Sequence, residues 1–494
     1  SCPVDTSRPQ FSKNCRDYRY DSVSKPIIGR AIRMDQRRAT AHAKSFIMQQ
    51  GRQSRIRQFF LRGPRTRGQL AILWMLCAVM YSVNARVLHD VDSVPPSYEA
   101  WNLVRHGNLK LGDYQPLEYL HGTIVISGTK GQWLCIHPPG KALMMVPFVA
   151  PLALTMDEPP RDLVMNRIGK VMGVVTTATA VVVFFIAASM IAPAGAWLAT
   201  LLLAFGTNFQ SVSSQAAWAH GPTVFWISIG ALGLVKLATG RFKRGVLVAC
   251  VIGFSFGMAV TCRQMTALYL PPVCLAVWAM GRFRLAVVTG AVALIPIGGL
   301  MLYQHAMFGH AVMGGYGTIE KAWASSIYEG MAGLLVSPSR GLFIFTPALL
   351  IALIGLAMIA KPASRFSTPV RLAVAALFIG GLLQLPVSAR WYDWPGGNSF
   401  GPRFLINSLV AWGLLFAVAY ERLRISRAWN GLVVGLVAVS IFIHVHSCFF
   451  RRGHTTWHIR FYKGHTTVWS VSDNLIWSNL TNNDDRGPGP WPPK

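Results

Sequence analysis

Apolar residues run along this chain in long blocks. From about residue 69 the blocks recur with a regular beat, each near the roughly 20 residues that a helix needs to cross a bilayer. There are eleven, at about 69–87, 168–189, 194–209, 221–238, 245–261, 264–280, 285–303, 341–360, 372–388, 404–420 and 428–447. The pattern predicts an all-α polytopic membrane protein with about 11 transmembrane helices over residues 68–447. Upstream, residues 1–67 are rich in Arg and Ser, carry only Asp5, Asp17, Asp21 and Asp35 as acids, and show no sustained apolar period. Such a segment cannot bury enough to fold alone and is expected as a disordered basic tail. An Arg-rich, acid-poor start also fits an organelle transit peptide, and Met34, followed by "DQRR", is a candidate for the true start.

Composition agrees with the pattern. Of 494 residues, 52% are hydrophobic and 13% charged, against about 25% charged in soluble domains. The net charge of +28 would suggest nucleic acid in a soluble protein. The basic residues, however, sit in the tail and in short loops, and no nucleic-acid-binding signature is present. They read as a topology signal. With the tail in the cytoplasm, the cytoplasmic loops are "APAG", "TGRFKRG", "GRFR", "KPASRFSTPVR" and "ERLRISR", all but the first loaded with Lys and Arg, as the positive-inside rule requires. Residues 448–494 and the long first loop, 88–167, then lie outside. The eight cysteines show no C-x-x-C pair and no Cys/His cluster at metal spacing, so neither a zinc site nor a disulfide framework is indicated, although Cys135 and Cys448 could meet outside the membrane.

The outer face collects the candidate chemistry. In "VLHDVDSVPPSYEAW" (87–101), Asp90 and Asp92 stand together at the start of the first outer loop of a chain poor in acids. Behind them Val94, Tyr98, Trp101 and Val104 fall at helical spacing and Gly107 supplies a stop, which predicts a short amphipathic helix with Tyr98 and Trp101 suited to the membrane interface. Asp92 and Ser93 could cap that helix, with Pro95 and Pro96 tolerated in its first turn; a cap uses one side chain and leaves the second carboxylate unexplained. "CIHPPGKALMMVPFVAP" (135–151) offers His137 and Lys141 ahead of an apolar segment too short to span comfortably. "FGTNFQSVSSQAAWAHGP" (205–222), ending near His220, is polar at membrane depth, which is tolerated only inside protein or along a wet cavity. "VTCRQM" supplies Arg263, "LLVSPSRGLFIFTP" Arg340, and "SARWYDWPGGNSFGPRF" Arg390, Trp391, Asp393 and Arg403. Each arginine alone would fit a snorkelling side chain; several on one face favour an anion site, because guanidinium binds phosphate bidentately.

In order along residues 68–480, the Asp-containing first outer loop, "HPPGKALMMVP", "SSQAAWAHGP", "SPSRGLFIFTP" and "DWPGGNSFGPRF" resemble bacterial polytopic glycosyltransferases of the GT-C fold, the superfamily of protein mannosyltransferases and aminoarabinose transferases. The resemblance implies an enzyme of a bacterial inner or plasma membrane that takes a sugar from a polyprenyl-phosphate donor. The sugar passes, outside the cytoplasm and usually with inversion, to a hydroxyl of a lipid, glycan or protein. An acid of the first outer loop, Asp92 or Asp90, would be the general base, and Arg340, Arg403 and Arg263 would hold the donor phosphate. His220, His137, Lys141, Arg390, Asp393 and Trp391 would complete the substrate site. No cofactor is implied; the D-x-D could hold a divalent cation, but no third carboxylate is obviously placed to complete its shell. Two other classes share the arginines and polar stretches: a transporter or flippase of a lipid-linked sugar or anion, and a non-catalytic membrane subunit. The absence of an internal repeat weighs against the transporter. In the C-terminal segment, "NLT" at Asn479 meets the glycosylation pattern, the aromatic run could cover the outer cavity or bind acceptor, and the last dozen residues are expected to be disordered.

Overall fold

The computed structural model describes residues 67–84, 91–112, 114–122, 124–318, 322–361, 365–450 and 452–481. The basic tail, Asp90 and the last dozen residues lie outside the described residues. In chain order the helices are α1 (Arg67–Ser82), α2 (Pro95–His106), α3 (Gly140–Ala153), α4 (Asp162–Ile191), α5 (Ala196–Phe205), α6 (His220–Ala238), α7 (Gly245–Cys262), α8 (Leu270–Ala279), α9 (Phe283–Phe308), α10 (Ile327–Val336), α11 (Leu350–Ala360), α12 (Thr368–Leu382), α13 (Gln384–Arg390), α14 (Leu409–Leu423), α15 (Arg427–Phe449), α16 (Arg452–Tyr462) and α17 (Leu475–Thr481), with a single α-helical turn at Leu342–Phe345 and short 3-10 and π turns between some of them. The one described sheet is an antiparallel hairpin, β1 (Val125–Ser127) and β2 (Trp133–Cys135), with Ile126 facing Leu134.

Helices stand at all eleven apolar blocks. Seven of them are long and apolar enough to cross a membrane: Asp162–Ile191, His220–Ala238, Gly245–Cys262, Phe283–Phe308, Thr368–Arg390, Arg403–Leu423 and Arg427–Phe449. The chain is thus an all-α integral membrane protein, but blocks 69–87, 194–209, 264–280 and 341–360 form shorter helices than a full span. For three of them the sequence gives the reason. Helix α5 ends at Gly206 and passes into a π turn over Phe209–Ser213; α8 begins with a proline in its first turn after a 3-10 turn; Pro347 interrupts the block before α11.

Packing centres on α14, which buries every residue from Leu409 to Ala419. Small residues let backbones approach it, as expected where apolar lipid leaves van der Waals contact to drive helix association. A Cβ on Gly355 of α11 would stand 2.0 Å from the Leu415 carbonyl oxygen, and one on Gly195 would stand 2.1 Å from that of Ala417. Helices α7 and α9 close in the same way at Gly253, where a Cβ would stand 2.2 Å from the Thr289 oxygen. On the outside, α9 turns Leu294, Ile295 and Leu302 outward, an apolar exposure suited to lipid.

The stretch 205–222 runs through the protein interior, and several of its polar groups find protein partners. Thr207 donates to the Leu203 carbonyl, Asn208 to that of Phe400 at 2.6 Å, and Ser211 meets His444 Nδ1 at 2.9 Å. Lys170, buried within α4, donates to Gln215 Oε1 at 2.7 Å and Asn84 Oδ1 at 2.9 Å.

The first loop departs from expectation. Helix α2 is buried on more than one face, in a second small core with the hairpin, α3 and the start of α4. Tyr98, Glu99, Trp101 and Asn102 are all buried, so two polar positions of this helix are enclosed with its apolar face, while Arg105 stays exposed. The stop is Gly107 at φ +66°, and prolines fill the first turn, but the N-cap position is Val94 and neither Asp92 nor Ser93 caps it. Cys135 and Cys448 are both free thiols. Asn479 is buried in α17 against His446, which removes it as a glycosylation acceptor in the folded protein.

Candidate active site

Asp92 owes its position to the buried first loop. Just before the prolines of α2 the chain turns, and three elements distant in sequence converge on it. Arg403, at the start of the 3-10 turn that leads into α14, sets Nη1 2.9 Å from Oδ2. His137, between β2 and α3, sets Nε2 3.1 Å from Oδ1. Lys141, in the first turn of α3 and 1% exposed, donates from Nζ to the Asp92 backbone carbonyl at 2.7 Å. The carboxylate is therefore held at both oxygens and through its own backbone.

Electrostatics fixes the protonation states. Burial alone would push the Asp92 carboxyl up; the Arg403 guanidinium, the His137 hydrogen bond and the Lys141 ammonium outweigh it and hold the group well below the usual carboxylate range. An ionised carboxylate only accepts hydrogen bonds. His137 therefore carries its hydrogen on Nε2, which leaves Nδ1 to accept from the Tyr316 hydroxyl at 2.7 Å. Burial and the Lys141 charge lower the His137 imidazole to about 4, against the opposing pull of Asp92, so the ring is neutral. Deeper in, both Glu99 carboxyl oxygens are buried without a hydrogen-bond partner among the described residues. Burial pushes this group up to about 8, with Lys141 opposing, so Glu99 is a neutral acid at pH 7.

A second guanidinium adjoins the first. Arg263, at the end of α7, packs 5.5 Å from the centre of the Phe404 ring, and Arg403 packs 5.2 Å from the same ring and 5.0 Å from that of Trp218. A nitrogen of Arg263 lies 2.7 Å from Nδ1 of His220, which opens α6. The structure thus brings together Asp92, Arg403, Arg263, His137, Lys141 and His220. The basic loops 239–245, 281–284, 365–371 and 421–427 lie at the opposite ends of these and the neighbouring helices.

The remaining sequence candidates sit elsewhere. Arg340 is fully buried, and its guanidinium donates to the carbonyls of Ser399 and Gly397 (2.9 Å) and lies 2.6 Å from His458 Nε2. It staples the 397–401 loop to α16. Arg390 is exposed at the end of α13. Trp391 sets its ring edge-on to Tyr316 at 5.6 Å, and Asp393 reaches Tyr462. Among the described residues no three His, Cys, Asp or Glu side chains gather as a metal site. Sequence reasoning missed Tyr316, Trp218, Phe404 and His458; the glycine-flanked aromatic in "MGGYGT" is the one local signal for Tyr316.

No family model matches the sequence, and no curated protein matches it. In structure the chain is similar to ArnT from Cupriavidus metallidurans in the apo state, over 83% of this chain and 75% of that one, with a TM-score of 0.46 and 14% sequence identity.

Proposed function

We propose that the protein is a membrane glycosyltransferase of the GT-C type. It moves a sugar from a polyprenyl-phosphate donor to a hydroxyl of a lipid, glycan or protein acceptor on the extracytoplasmic face, and Asp92 is the general base. The observation that carries this reading is the single ionised carboxylate held between Arg403 and neutral His137, with a second guanidinium beside the first. Basic loops at the far helix ends support an extracytoplasmic site.

In the reaction the acceptor oxygen bonds to the anomeric carbon while the bond from that carbon to the phosphate oxygen breaks. The bonding pair leaves with the polyprenyl phosphate, and the acceptor proton passes to Asp92. A carboxylate paired with Arg403 is a weak base, and the leaving group corrects this. As the phosphate gains charge, it draws the guanidinium toward itself and away from Oδ2, so the basicity of Asp92 rises as the proton must be taken. Arg263, already held beside Arg403 against His220 and Phe404, stabilises the departing phosphate without waiting for solvent to reorganise. His137, oriented by Tyr316, and Lys141, on the backbone carbonyl, keep Asp92 in place while Arg403 shifts.

The test is turnover of a panel of radiolabelled polyprenyl-phosphate sugars by the purified protein with membrane acceptors, against nucleotide sugars as controls. Transfer from a lipid-linked donor and none from nucleotide sugars is expected. Turnover of nucleotide sugars alone, or of no donor at all, contradicts the reading.

A further inference from the structure

The turn from Trp391 to Gly397 and helix α16 form the walls of an open cleft of about 340 Å³, lined by Tyr392, Asp393, Pro395, Phe461 and Tyr462. Its size falls within the roughly 300–1,000 Å³ of small-molecule sites. The walls are tied together from behind: Arg340 binds the Gly397 carbonyl of one and His458 of the other, and stacks 5.5 Å from the Trp457 ring. The cleft is thus built by a buried residue and does not depend on the mobility of two surface segments.

Two chains of contact join it to Asp92. One runs from Asp92 through His137 and Tyr316 to Trp391, whose ring lies 4.9 Å from that of Tyr392. The other runs through Arg403. A Cβ on Gly397, whose φ of +56° already favours glycine, would stand 3.4 Å from both Asp393 Oδ2 and Arg403 Nη2, so carboxylate and guanidinium flank one missing methyl group.

We propose that this cleft binds a sugar ring of the acceptor, so that the substrate accepting the transferred sugar is itself a glycan or glycolipid. The acceptor role rests on the glycosyl-transfer reading above. The lining matches a neutral polyhydroxyl ring better than other ligands. Flat aromatic faces suit the C–H face of a pyranose, while the Asp393 carboxylate and the tyrosine hydroxyls accept and donate to its hydroxyl groups. An acyl chain would take those polar groups out of water and offer them no hydrogen bond of its own. A cation would meet a carboxylate whose charge already faces Arg403 and Arg340.

The test uses the full chain in lipid nanodiscs without donor, probed by saturation-transfer NMR with gluco-, manno- and galacto-configured disaccharides. Saturation of the pyranose C–H protons is expected for at least one. Tyr392→Ala and Phe461→Ala should weaken that binding about five-fold or more, and Tyr392→Phe, which keeps the ring and loses only the hydroxyl, should weaken it less than Tyr392→Ala. Tyr392 is 56% exposed, so its removal leaves the fold intact. No disaccharide binding, binding indifferent to Tyr392→Ala and Phe461→Ala, or quenching of the cleft's aromatics by brominated lipid overturns the proposal. Disaccharide binding in the cleft with no donor turned over would sink glycosyl transfer and keep the saccharide site. Transfer whose acceptor KM ignores Tyr392→Ala would sink the cleft and keep the transferase.

Discussion

Replacing Arg403 with Gln removes the charge that holds Asp92 ionised and leaves a neutral side chain of similar reach. The pair's nearest atoms are 2.9 Å apart, with side chains 11% and 19% exposed, so an effective dielectric near 20 applies, and for charge centres about 4 Å apart the interaction is ~4 kcal/mol. Its loss should carry the Asp92 carboxyl up to the ordinary carboxylate value of about 4. His137 and Lys141 remain to limit the rise. In the wild type the folded pKa lies below the unfolded value, so the pair contributes stability above the ordinary carboxylate range, and that contribution is lost as pH falls through the folded value. At pH 7 the variant should be about 3–5 kcal/mol less stable, because it buries an uncompensated charge. Below about pH 4 Asp92 takes up a proton in the variant before it does so in the wild type, and the gap should narrow. Thermal unfolding in detergent from pH 7 to 3.5 measures it, with Asp92→Asn and the double variant completing the cycle. A gap that stays constant across this range, or one that survives undiminished in the Asp92→Asn background, refutes the pairing.

Other consequences follow from the same geometry. Glu99→Gln keeps shape and neutrality, so it should match the wild type near pH 4. It should become progressively more stable than the wild type as pH rises toward about 8, because a raised carboxyl pKa means that ionisation opposes folding; parallel stability curves would contradict the buried neutral acid. Gly355→Val, forced against the Leu415 carbonyl, should cost at least about 1–3 kcal/mol by overpacking, read as a lowered midpoint in detergent. Because the cations at the site are side chains, transfer should survive EDTA; loss of transfer restored by a divalent ion would show that the D-x-D binds metal. Non-reducing mass analysis should find Cys135 and Cys448 as thiols, and a linked peptide would contradict their separate burial.

The membrane architecture is legible in the sequence because lipid imposes one requirement, continuous apolar helices with satisfied backbone, and the basic loops report which ends share a side. The interior course of 205–222 follows from the same rule. Span lengths are less legible: Gly206, Pro271 and Pro347 shorten three blocks that hydropathy alone extends. The first loop eludes the sequence because an amphipathic period says that one face is buried and says nothing of a second partner. Glu99 faces Lys141 of α3, and Asn102 is held by the Lys110 carbonyl and the Tyr114 hydroxyl, partners that the period does not announce. The pairing of Asp92 with Arg403 spans 311 positions and leaves no local trace. Arg340 is a donor-phosphate ligand only by what the resemblance implies, and its guanidinium is engaged with loop carbonyls. Tyr316, which orients His137, shows only as the aromatic among the glycines of "MGGYGT", and His458, which meets Arg340, carries no motif at all.

The most direct test compares sugar transfer by the wild type and Asp92→Asn, in equal folded amounts, with donor binding measured in parallel. If Asp92 is the base, the variant binds donor and loses transfer by about 10²–10⁴-fold. Transfer at the wild-type rate in that variant would contradict the assignment.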